Sequence, residues 1–464
     1  MRTICLYFQI HQPFRLRRYR FFDIGKEHYY YDDYSNESIL RKIADRSYLK
    51  SNKLLLDLIH KNKEKFKIAF SISGSALDQF ELYAPEVIQS FKLLSETGQV
   101  EFLCETDSHS LASLTNPGEF QRQVISHRQK IEKYFGQIPT IFSNTELIYS
   151  DQIGEQIANM GFEGMITEGA KHILGWKSPN YVYCSAVNPR LKLLLRNFKL
   201  SDDISFRFSN KNWNEYPLTT EKFANWLNNI EKREENINIF IDYETFGGRQ
   251  LNESGIFDFL KQLPQSILKQ TDYSFSFPSE IIRTQQPVAP ISVSSPISWA
   301  DEERDLTAWL GNDLQKEAFA KLYELCDLVE QSQDPKIKID WKYLQSSDHF
   351  YYMSTKFFSD RPTYSYVNPY ESPYDAFINY MNVLSDFTIR VKKDFHENGT
   401  NQKVEDLIRQ LAEKDKEITK YQAELSKSAP DKGIPSSSKT KKKPESKKKN
   451  SDDKPEKKKE ANLI

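Results

Sequence analysis

The chain has 464 residues, enough for one large α/β domain of roughly 250 to 300 residues with smaller accessory regions. Its 64 Lys and Arg residues nearly balance 65 Asp and Glu, but residues 428–464 hold 12 Lys and only 6 acids, so the remaining body is acidic. An acidic body argues against nucleic acid as a partner.

Cysteine usage indicates a reducing compartment, and the N-terminus does not resemble a signal peptide. The four cysteines show no CxxC spacing, which disfavours a structural zinc site. The N-terminus lacks the apolar region and cleavage site of a signal peptide, and no run approaches 18 apolar residues. We therefore expect a cytoplasmic protein without a membrane partner.

Aromatic residues make up 13% of the chain. Carbohydrate sites commonly contain them, because the C–H faces of sugars pack on rings while the hydroxyls hydrogen-bond at the rim. Filling of the core accounts for most of them in any protein of this size. The composition is therefore compatible with a sugar site but does not establish one.

Strand-like and helix-like segments alternate through the first 280 residues. Apolar or β-branched runs predict strands at 3–10, 66–73, 100–104, 140–143, 164–167, 181–186, 191–195, 204–208, 237–241 and 274–277. Helical periodicity predicts helices at 38–60, 77–96, 119–135, 151–159 and 219–233. This alternation predicts a parallel sheet with helices outside it, and seven or eight core strands indicate a barrel.

After a Pro- and Ser-rich stretch the predicted elements are helices only, at 313–331, 341–358 and 373–395. We therefore divide the chain into a barrel at 1–285 and a helical domain at 286–398. Apolar residues then recur at three- and four-residue spacing. This spacing predicts a helix at 399–427. The helix either forms a coiled-coil homodimer through residues 404–425 or is amphipathic and folds back on the body. Residues 428–464 form a Lys-rich tail that cannot bury a core and is expected to be disordered.

Carboxylates lie at the ends of several predicted strands. Asp242 and Glu244 follow the ninth strand and share one face of an extended chain. Glu101 emerges with the third strand and Glu146 follows the fourth. Because a barrel brings the carboxyl ends of its strands together, the four acids would line one mouth. A strand-end Asp can instead cap the next turn, and Ser143 with Glu146 fits a helix capping box.

Two carboxyl groups in different protonation states can cleave a glycosidic bond. One donates a proton to the leaving oxygen, and the other either attacks the anomeric carbon or activates water. Attack by the carboxylate retains the anomeric configuration and attack by water inverts it. The separation of the carboxyl groups decides between the two, so the residues alone leave both open.

The segment 14–34, rich in Arg and aromatic residues, directly follows the first strand. On a barrel it would lie over the active mouth, which suggests a lid or a loop that stacks on a sugar. The alternative is an irregular surface segment packed on the helical region.

Five motifs in consistent order resemble glycoside hydrolase family 57, the α-amylase-like enzymes. They are His11-Gln12-Pro13, Gly98-Gln99-Val100-Glu101, Asn144-Thr145-Glu146, Asp242-Tyr243-Glu244-Thr245-Phe246-Gly247 and the stretch from Trp299 to Asn312. The resemblance spans residues 1 to about 390. It implies an incomplete (β/α)7 barrel followed by a helical domain that completes the cleft. It also implies a retaining mechanism on α-1,4-glucans without a metal ion or other cofactor.

At the matching positions the resemblance implies Glu146 as the nucleophile and Asp242 as the general acid/base. The residues that it implies for substrate binding are His11, Glu101, Glu244, Trp299, Asp305 and Trp309. The chain departs from many relatives in having Phe142 rather than Trp near the fourth strand, and its fifth motif places Asp305 and Trp309 four residues apart.

The resemblance thus implies an α-amylase-type hydrolase acting on an α-glucan or maltooligosaccharide. One alternative is a 4-α-glucanotransferase or glucan-branching enzyme, in which a sugar replaces water as the acceptor. Another is a catalytically inactive glucan-binding protein. A metal-dependent mannosidase or deacetylase is disfavoured, because His11 is followed by Gln12-Pro13 and no HxD or HxxxH set appears.

Overall fold

The computed structural model describes residues 2–356 and 368–428, without the side chains of 398–406 and 421–428. The strands within these residues are β1 Arg2–Ile10, β2 Ile68–Ile72, β3 Val100–Phe102, β4 Ile141–Ser143, β5 Gly164–Glu168, β6 Val182–Ser185, β7 Lys192–Arg196, β8 Asn236–Asp242, β9 Tyr273–Phe275 and β10 Pro290–Ile291. The α-helices are α1 Asp33–Ile43, α2 Leu49–Asn62, α3 Gly74–Tyr83, α4 Pro85–Glu96, α5 Pro117–Phe135, α6 Asp151–Asn159, α7 Lys171–Leu174, α8 Phe198–Asp202, α9 Thr220–Asn228, α10 Ile256–Gln270, α11 Pro278–Thr284, α12 Thr307–Leu310, α13 Asp313–Tyr323, α14 Cys326–Gln331, α15 Pro335–Leu344, α16 Ser347–Tyr351 and α17 Pro373–Ser428.

The strands form two sheets that meet edge to edge. In the first sheet, β1 is parallel to β2, β8 and β9, and β3 pairs with β2. The second sheet has the order β10-β6-β7-β5-β4, in which only the β6–β7 pair is antiparallel. Cys104, just after β3, forms a parallel bridge with Phe142 of β4. The fold is therefore mixed α/β with parallel sheets, as the alternation of strands and helices predicts.

The central strand β1 is buried along its whole length because its two faces serve two different cores. Tyr7 packs inward beside Phe240 of β8, with ring centroids 5.3 Å apart. Phe8 points to the opposite face and packs with Phe70 and Tyr243 in the core beneath the outer helices. A strand covered on both sides reads as a continuous apolar run. Full burial of one large apolar side chain, such as Phe8, stabilises the folded state by about 1.5–3 kcal/mol relative to its exposure.

The strand predicted at 204–208 is wrong, since Asp203–Arg207 is instead a π-helical segment that continues α8. Leu200, Ile204 and Phe208 are all buried in the outer core. Their spacing of four residues is helical, and a short apolar run hides that periodicity.

The helix predicted at 77–96 is two helices, α3 and α4, which are separated at Ala84. Pro85 follows directly, and proline disfavours helical backbone at the residue before it. The helix predicted at 151–159 agrees with α6 at both ends.

The Arg- and aromatic-rich segment 14–34 is anchored on the first part of α17. The Tyr19 backbone N–H donates to Asn379 Oδ1 at 2.7 Å. The Gly25 N–H and the Tyr30 hydroxyl donate to the two carboxylate oxygens of buried Asp386, at 2.7 and 2.6 Å. The structure therefore favours packing on the helical region over the role of a lid.

Residues Met1–Gly399 form one compact unit and Thr400–Ile464 form a second. The division at 285/286 separates no compact units, and the ranges 1–285 and 286–398 stay predictions. The predicted helix at 399–427 falls within α17, where Leu407, Leu411 and Ile418 are exposed. The homodimer through 404–425 stays a prediction, and residues 429–464 of the predicted tail lie outside the described residues. No helix among the described residues is long and apolar enough to cross a membrane.

Close packing of α3 on the loop after β3 requires glycine at position 74. A Cβ on Gly74 would lie 1.6 Å from Asp107 Oδ1 and 2.6 Å from the Asp107 carbonyl oxygen. Asp107 is held by ion pairs with Lys130 and Lys342, at 3.0 and 3.3 Å. We expect Gly74→Ala to lower the free energy of unfolding by about 1–3 kcal/mol in denaturant titrations.

The control is Gly118→Ala in the first turn of α5, where the new Cβ would meet nothing closer than 3.4 Å. This substitution should leave stability unchanged or raise it slightly, because alanine is the better helix former. Equal destabilisation by the two substitutions would contradict the steric argument.

Candidate active site

A cleft opens where the polypeptide leaves β4 and β8. It encloses about 770 Å³, including its open mouth. Glu146 and Asp242 both line it, although 96 residues separate them in the sequence. Other side chains on its walls are Arg196, Arg249, Trp299, Asp301, Trp309, Asp348, Tyr351 and Tyr352.

Glu146 lies in a short 3-10 turn directly after β4, with φ of 53°. Its Oε1 accepts from His109 Nε2 at 3.2 Å, and its Oε2 accepts from Trp299 Nε1 at 2.5 Å. One donor on each oxygen fixes the orientation of the carboxylate and leaves lone pairs free. The capping box predicted for Ser143 and Glu146 does not form, because this turn has no side-chain cap and the Ser143 hydroxyl bonds to Tyr7 instead.

Asp242 is the last residue of β8, and its Oδ2 accepts from Arg249 Nη2 at 2.9 Å. The loop that returns Arg249 to the strand depends on Gly247, whose φ is +94°. A Cβ on Gly247 would lie 2.1 Å from the Arg46 carbonyl oxygen. The glycine is therefore needed for the arginine to reach the carboxylate.

Glu244 lies behind Asp242. Its Oε1 accepts from Gln12 Nε2 at 2.5 Å and from the Tyr48 hydroxyl at 2.6 Å. Burial and the negative charge of Asp242 raise the pKa of Glu244 above its ordinary value, against the hydrogen bond from Tyr48. Glu244 thus supports the floor of the site.

His11 stacks on His109 behind the cleft wall, with ring centroids 3.9 Å apart. Its Nε2 lies 2.7 Å from Asp348 Oδ2, and its Nδ1 lies 2.7 Å from the Ser73 hydroxyl oxygen. Because an ionised carboxylate can only accept, we assign the proton of His11 to Nε2. Burial, together with the neighbouring His109, lowers the pKa of His11, so this ring is the neutral member of the pair.

His109 is the charged member of the stacked pair. Its Nδ1 lies 3.5 Å from Glu105 Oε2, while its Nε2 bonds to Glu146. Burial by itself lowers the pKa of His109, but the two carboxylates outweigh it and raise that pKa to about 10. An imidazolium therefore bridges Glu105 and Glu146 at neutral pH.

A buried ion cluster supports the part of the cleft wall that carries Trp299. Arg196 pairs with Glu168 at 3.0 Å and with Asp202 at 2.5 Å. Arg304 also pairs with Asp202, at 3.0 Å, and donates to the carbonyl oxygen of Trp299. The cluster thereby fixes the tryptophan that donates to Glu146.

Backbone strain is concentrated at the cleft. Non-glycine residues with positive φ cost about 1–3 kcal/mol each and persist where the surroundings enforce them, often at functional sites. Of the six among the described residues, Glu146 and Asp301 line the cleft, and His109 and Arg304 donate to the cleft residues Glu146 and Trp299. Leu147 follows Glu146 in the sequence, and Lys63 lies elsewhere. Such a concentration is typical of a functional site, and it is independent of any motif.

Four of the eight predicted site residues line the cleft, namely Glu146, Asp242, Trp299 and Trp309. His11 and Glu244 stand directly behind it, as described above. Glu101 and Asp305 are not among the residues that line the cleft.

Glu101 lies inside β3, where its carboxylate accepts the Ser279 N–H of α11 at 3.1 Å. Burial there raises the pKa of Glu101 to about 7. Asp305 is occupied in capping α12, accepting from the Thr307 N–H at 2.9 Å and from its hydroxyl at 2.6 Å.

Several residues that line or support the cleft were missed by sequence reasoning. Glu105 follows Glu101 by four residues, and period-two alternation along the strand would have indicated it. Arg249 lies two residues after the fourth motif, and Asp301 lies inside the fifth. Asp348 carries no local signal, because it reaches the cleft only through α16, where the Ser347 N–H donates to the His109 carbonyl at 3.0 Å.

The arrangement presents two carboxylates to one space, each held by a different set of donors. Aromatic rings and polar side chains alternate on the walls, which suits a polyhydroxylated ligand. Within residues 2–356 and 368–428, no group of three or more His, Cys, Asp and Glu residues is placed to hold a metal ion.

Comparison with known proteins gives consistent matches. The sequence profile of Glycosyl hydrolase family 57 matches residues 5–294. A Methanocaldococcus jannaschii protein named "Putative alpha-amylase" is 39% identical over 402 residues, which cover 83% of this chain and 84% of that protein.

Two solved structures share the fold at low sequence identity. The family 57 branching enzyme of Thermococcus kodakaraensis has a TM-score of 0.60 at 12% identity, covering 85% of this chain and 90% of that one. The 4-alpha-glucanotransferase of Thermococcus litoralis has a TM-score of 0.59 at 13% identity, covering 75% of this chain and 56% of that one.

The charged state of His109 makes a pH-dependent contribution to stability. Its pKa is about 10 in the folded protein and about 6.5 in the unfolded chain. The contribution is therefore complete below about pH 6.5 and is lost as the pH rises through about 10. We expect His109→Gln to be less stable than the wild type at pH 7, with the difference narrowing towards pH 10 in denaturant titrations.

His60→Gln is the matched control, because His60 lies on the exposed face of α2. The free energy of unfolding of this variant should differ little from that of the wild type at every pH. If the loss of stability in His109→Gln relative to the wild type stayed constant from pH 7 to pH 10, the assignment of the imidazolium would be wrong.

Proposed function

The chain belongs to glycosyl hydrolase family 57, and from this premise we propose that it is an α-amylase-type enzyme that cleaves α-1,4-glucans with retention of configuration. The observation that carries the proposal is the meeting of Glu146 and Asp242 on one cleft with distinct hydrogen-bond partners. The match to the Methanocaldococcus jannaschii protein supports the choice of an amylase.

Glu146 is the proposed nucleophile. Hydrogen bonds from His109 and Trp299 hold its carboxylate in one orientation, and each oxygen keeps a free lone pair for attack on the anomeric carbon. The positive charge on His109 also stabilises a carboxylate that would otherwise be poorly hydrated at the cleft wall.

Asp242 is the proposed general acid and base. It must carry a proton to protonate the leaving glycosidic oxygen, whereas Arg249 favours the ionised carboxylate. We expect Arg249 to move away from Asp242 when substrate binds, so that the leaving oxygen takes its place. After the glycosyl-enzyme forms, the Asp242 carboxylate removes a proton from the incoming water, and the product keeps its anomeric configuration.

The remaining cleft residues bind and position the sugar. Trp299 and Trp309 supply ring faces to the sugar. His11 positions Asp348 by a hydrogen bond, and Glu244 lies behind Asp242 and interacts with its charge. We interpret the fold as an incomplete (β/α)7 barrel completed by helical segments, with support from Asp348, Tyr351 and Tyr352 on the cleft wall.

We also propose a cytoplasmic location, with support from four unpaired, buried cysteines. The homodimer through residues 404–425 is supported by the exposed side chains of Leu407, Leu411 and Ile418. The acidic body supports the expectation of no nucleic acid partner.

The decisive experiment is incubation with maltooligosaccharides of defined length. We expect shorter maltooligosaccharides with an increase in reducing ends, and NMR of the first products should show the α-anomer. Redistribution of chain lengths without new reducing ends would instead assign a transferase. Binding to a glucan column without any reaction would assign an inactive glucan-binding protein, and an initial β-anomer would rule out retention.

Substitution of the two carboxylates should abolish most of the activity. Asp242→Asn is expected to lower the hydrolysis rate by about 10²–10⁴-fold, because it removes the proton donor. Glu146→Gln should lower it at least as much, because no covalent intermediate can form. Initial rates on maltoheptaose measure both effects, with circular dichroism as the check on folding.

Asp305→Asn is the matched control, since this carboxylate caps α12 and does not line the cleft. It should keep a rate close to that of the wild type. A near-wild-type rate for either cleft variant would remove that residue from the mechanism.

A further inference from the structure

Glu105 is a fully buried carboxylate that does not line the cleft. It follows β3 on the loop that also carries His109, and its Oε2 lies 3.5 Å from His109 Nδ1. At that distance the contact is longer than a good hydrogen bond and acts mainly through charge. Glu105 is therefore placed to act on the cleft through His109.

The imidazole of His109 joins Glu105 to the cleft carboxylate Glu146. Its Nε2 donates to Glu146 Oε1 at 3.2 Å, and the residue is only 1% exposed, so solvent does not replace a lost partner. The backbone of His109 is held at φ of 51°, and its carbonyl oxygen accepts from the Ser347 N–H at 3.0 Å. A strained residue of this kind is kept in place by its surroundings. The fold therefore fixes His109 between the two acids.

Two further titratable side chains face the ring of His109. His11 stacks on it, and Asp348 of α16 interacts with its charge. Asp348 is already engaged by His11 Nε2 at 2.7 Å. Burial lowers the pKa of His109, and Glu105 and Glu146 are the groups that outweigh burial and raise that pKa to about 10.

The charge of Glu105 is not balanced by the other histidine beside it. His127 of α5 accepts the Glu105 backbone N–H on its Nδ1 at 3.1 Å, and its Nε2 lies 2.8 Å from the Ile72 carbonyl oxygen. A ring that accepts on one nitrogen and donates on the other is neutral, and burial lowers the pKa of His127. His109 is therefore the histidine that pairs with Glu105.

The charge of Glu146 changes during the proposed reaction. A carboxylate oxygen of Glu146 forms a bond to the anomeric carbon, and the bond from that carbon to the leaving oxygen breaks. The electron pair goes to the leaving oxygen, which takes the proton of Asp242. Glu146 enters this step as an anion and leaves it as a neutral ester, so His109 loses one of its two carboxylate partners. A buried cation without a partner is strongly destabilised or releases its proton.

We propose that Glu105 is a positioning residue that keeps His109 cationic while Glu146 is a neutral ester. The same charged donor is then present when the ester forms and when water cleaves it. The inference rests on the proposed function and adds a residue to its mechanism. Because Glu105 does not touch the sugar, it acts on kcat and on the pH dependence of kcat, and not on KM.

The charge of His109 is tested directly by NMR titration of the full chain labelled with ¹⁵N-histidine. Glu146→Gln carries a neutral amide in place of the ester, and the signal of His109 is identified by its loss in His109→Gln. We expect the pKa of His109 in Glu146→Gln to stay above the ordinary value of about 6.5. In Glu105→Gln/Glu146→Gln it should fall below that value, because burial is then no longer outweighed.

Two results of this titration would overturn the proposal. One is a His109 that loses its proton below the ordinary histidine pKa in Glu146→Gln, where Glu105 is intact. The other is a His109 that keeps its proton in the double variant. The first result needs no substitution at Glu105, so the proposal stays testable even if Glu105→Gln does not fold.

Initial rates on maltoheptaose supply the kinetic test. Glu105→Gln should lower kcat at pH 7 by about tenfold, because a charge-assisted hydrogen bond is roughly twice as strong as a neutral one. The alkaline fall of kcat should begin at lower pH, while KM stays close to that of the wild type. Glu105→Asp keeps the charge and should recover most of kcat. A loss of kcat that is equal at every pH would indicate a merely structural role and refute the proposal.

Glu119→Gln is the matched control, because Glu119 is also a buried carboxylate but pairs with Arg122 and accepts from Trp341 Nε1. It should change neither the pKa of His109 nor the pH dependence of kcat. A shift of the pH profile equal to that of Glu105→Gln would mean that any lost buried charge has this effect, which contradicts the assignment.

The titration and the rates separate this inference from the proposed function. A hydrolase in which His109 titrates alike with and without Glu105 overturns the inference while the function stands. A protein that cleaves no glucan overturns the function, and the titration still decides whether Glu105 sets the charge of His109.

Discussion

The Glu146 carboxylate is held between two donors that come from distant parts of the chain, His109 after β3 and Trp299 after β10. Each donor is itself fixed by buried groups. Glu105 and the stacked ring of His11 hold His109, and the ion cluster around Arg304 holds the backbone of Trp299. A buried charge without its partner costs several kcal/mol. The geometry at Glu146 therefore depends on the completeness of the surrounding network.

The same network joins the strands to the helices that follow them. Asp348 of α16 bonds to His11 at the end of β1, and Lys342 of α15 pairs with Asp107 beyond β3. These contacts bring the helical segments into the wall of the cleft, so the substrate space is built from both. Loss of either contact should therefore affect the cleft as well as stability, because the same side chains serve both.

The regular elements followed from local patterns where one periodicity was unambiguous. The apolar run before Asp242 and the helix at 151–159 are of this kind, and both were predicted within a residue of their observed bounds. The segment 204–208 failed because five residues do not distinguish a strand from a helical turn. The segment 14–34 could not be placed, since its anchors, Asn379 and Asp386, lie more than 340 residues away.

The residues themselves were sufficient to establish that carboxylates follow the strands, that the strands alternate with helices, and that the ordered motifs resemble one family. These features are local, because side-chain alternation and turn chemistry are encoded within a few neighbouring residues. Only the tertiary structure decided that Glu105 rather than Glu101 reaches His109, that Asp305 caps a helix, and that Asp348 and Arg249 complete the cleft. The reason is physical: strand stagger and the docking of helices determine which side chains meet, and these depend on packing between segments that are remote in sequence.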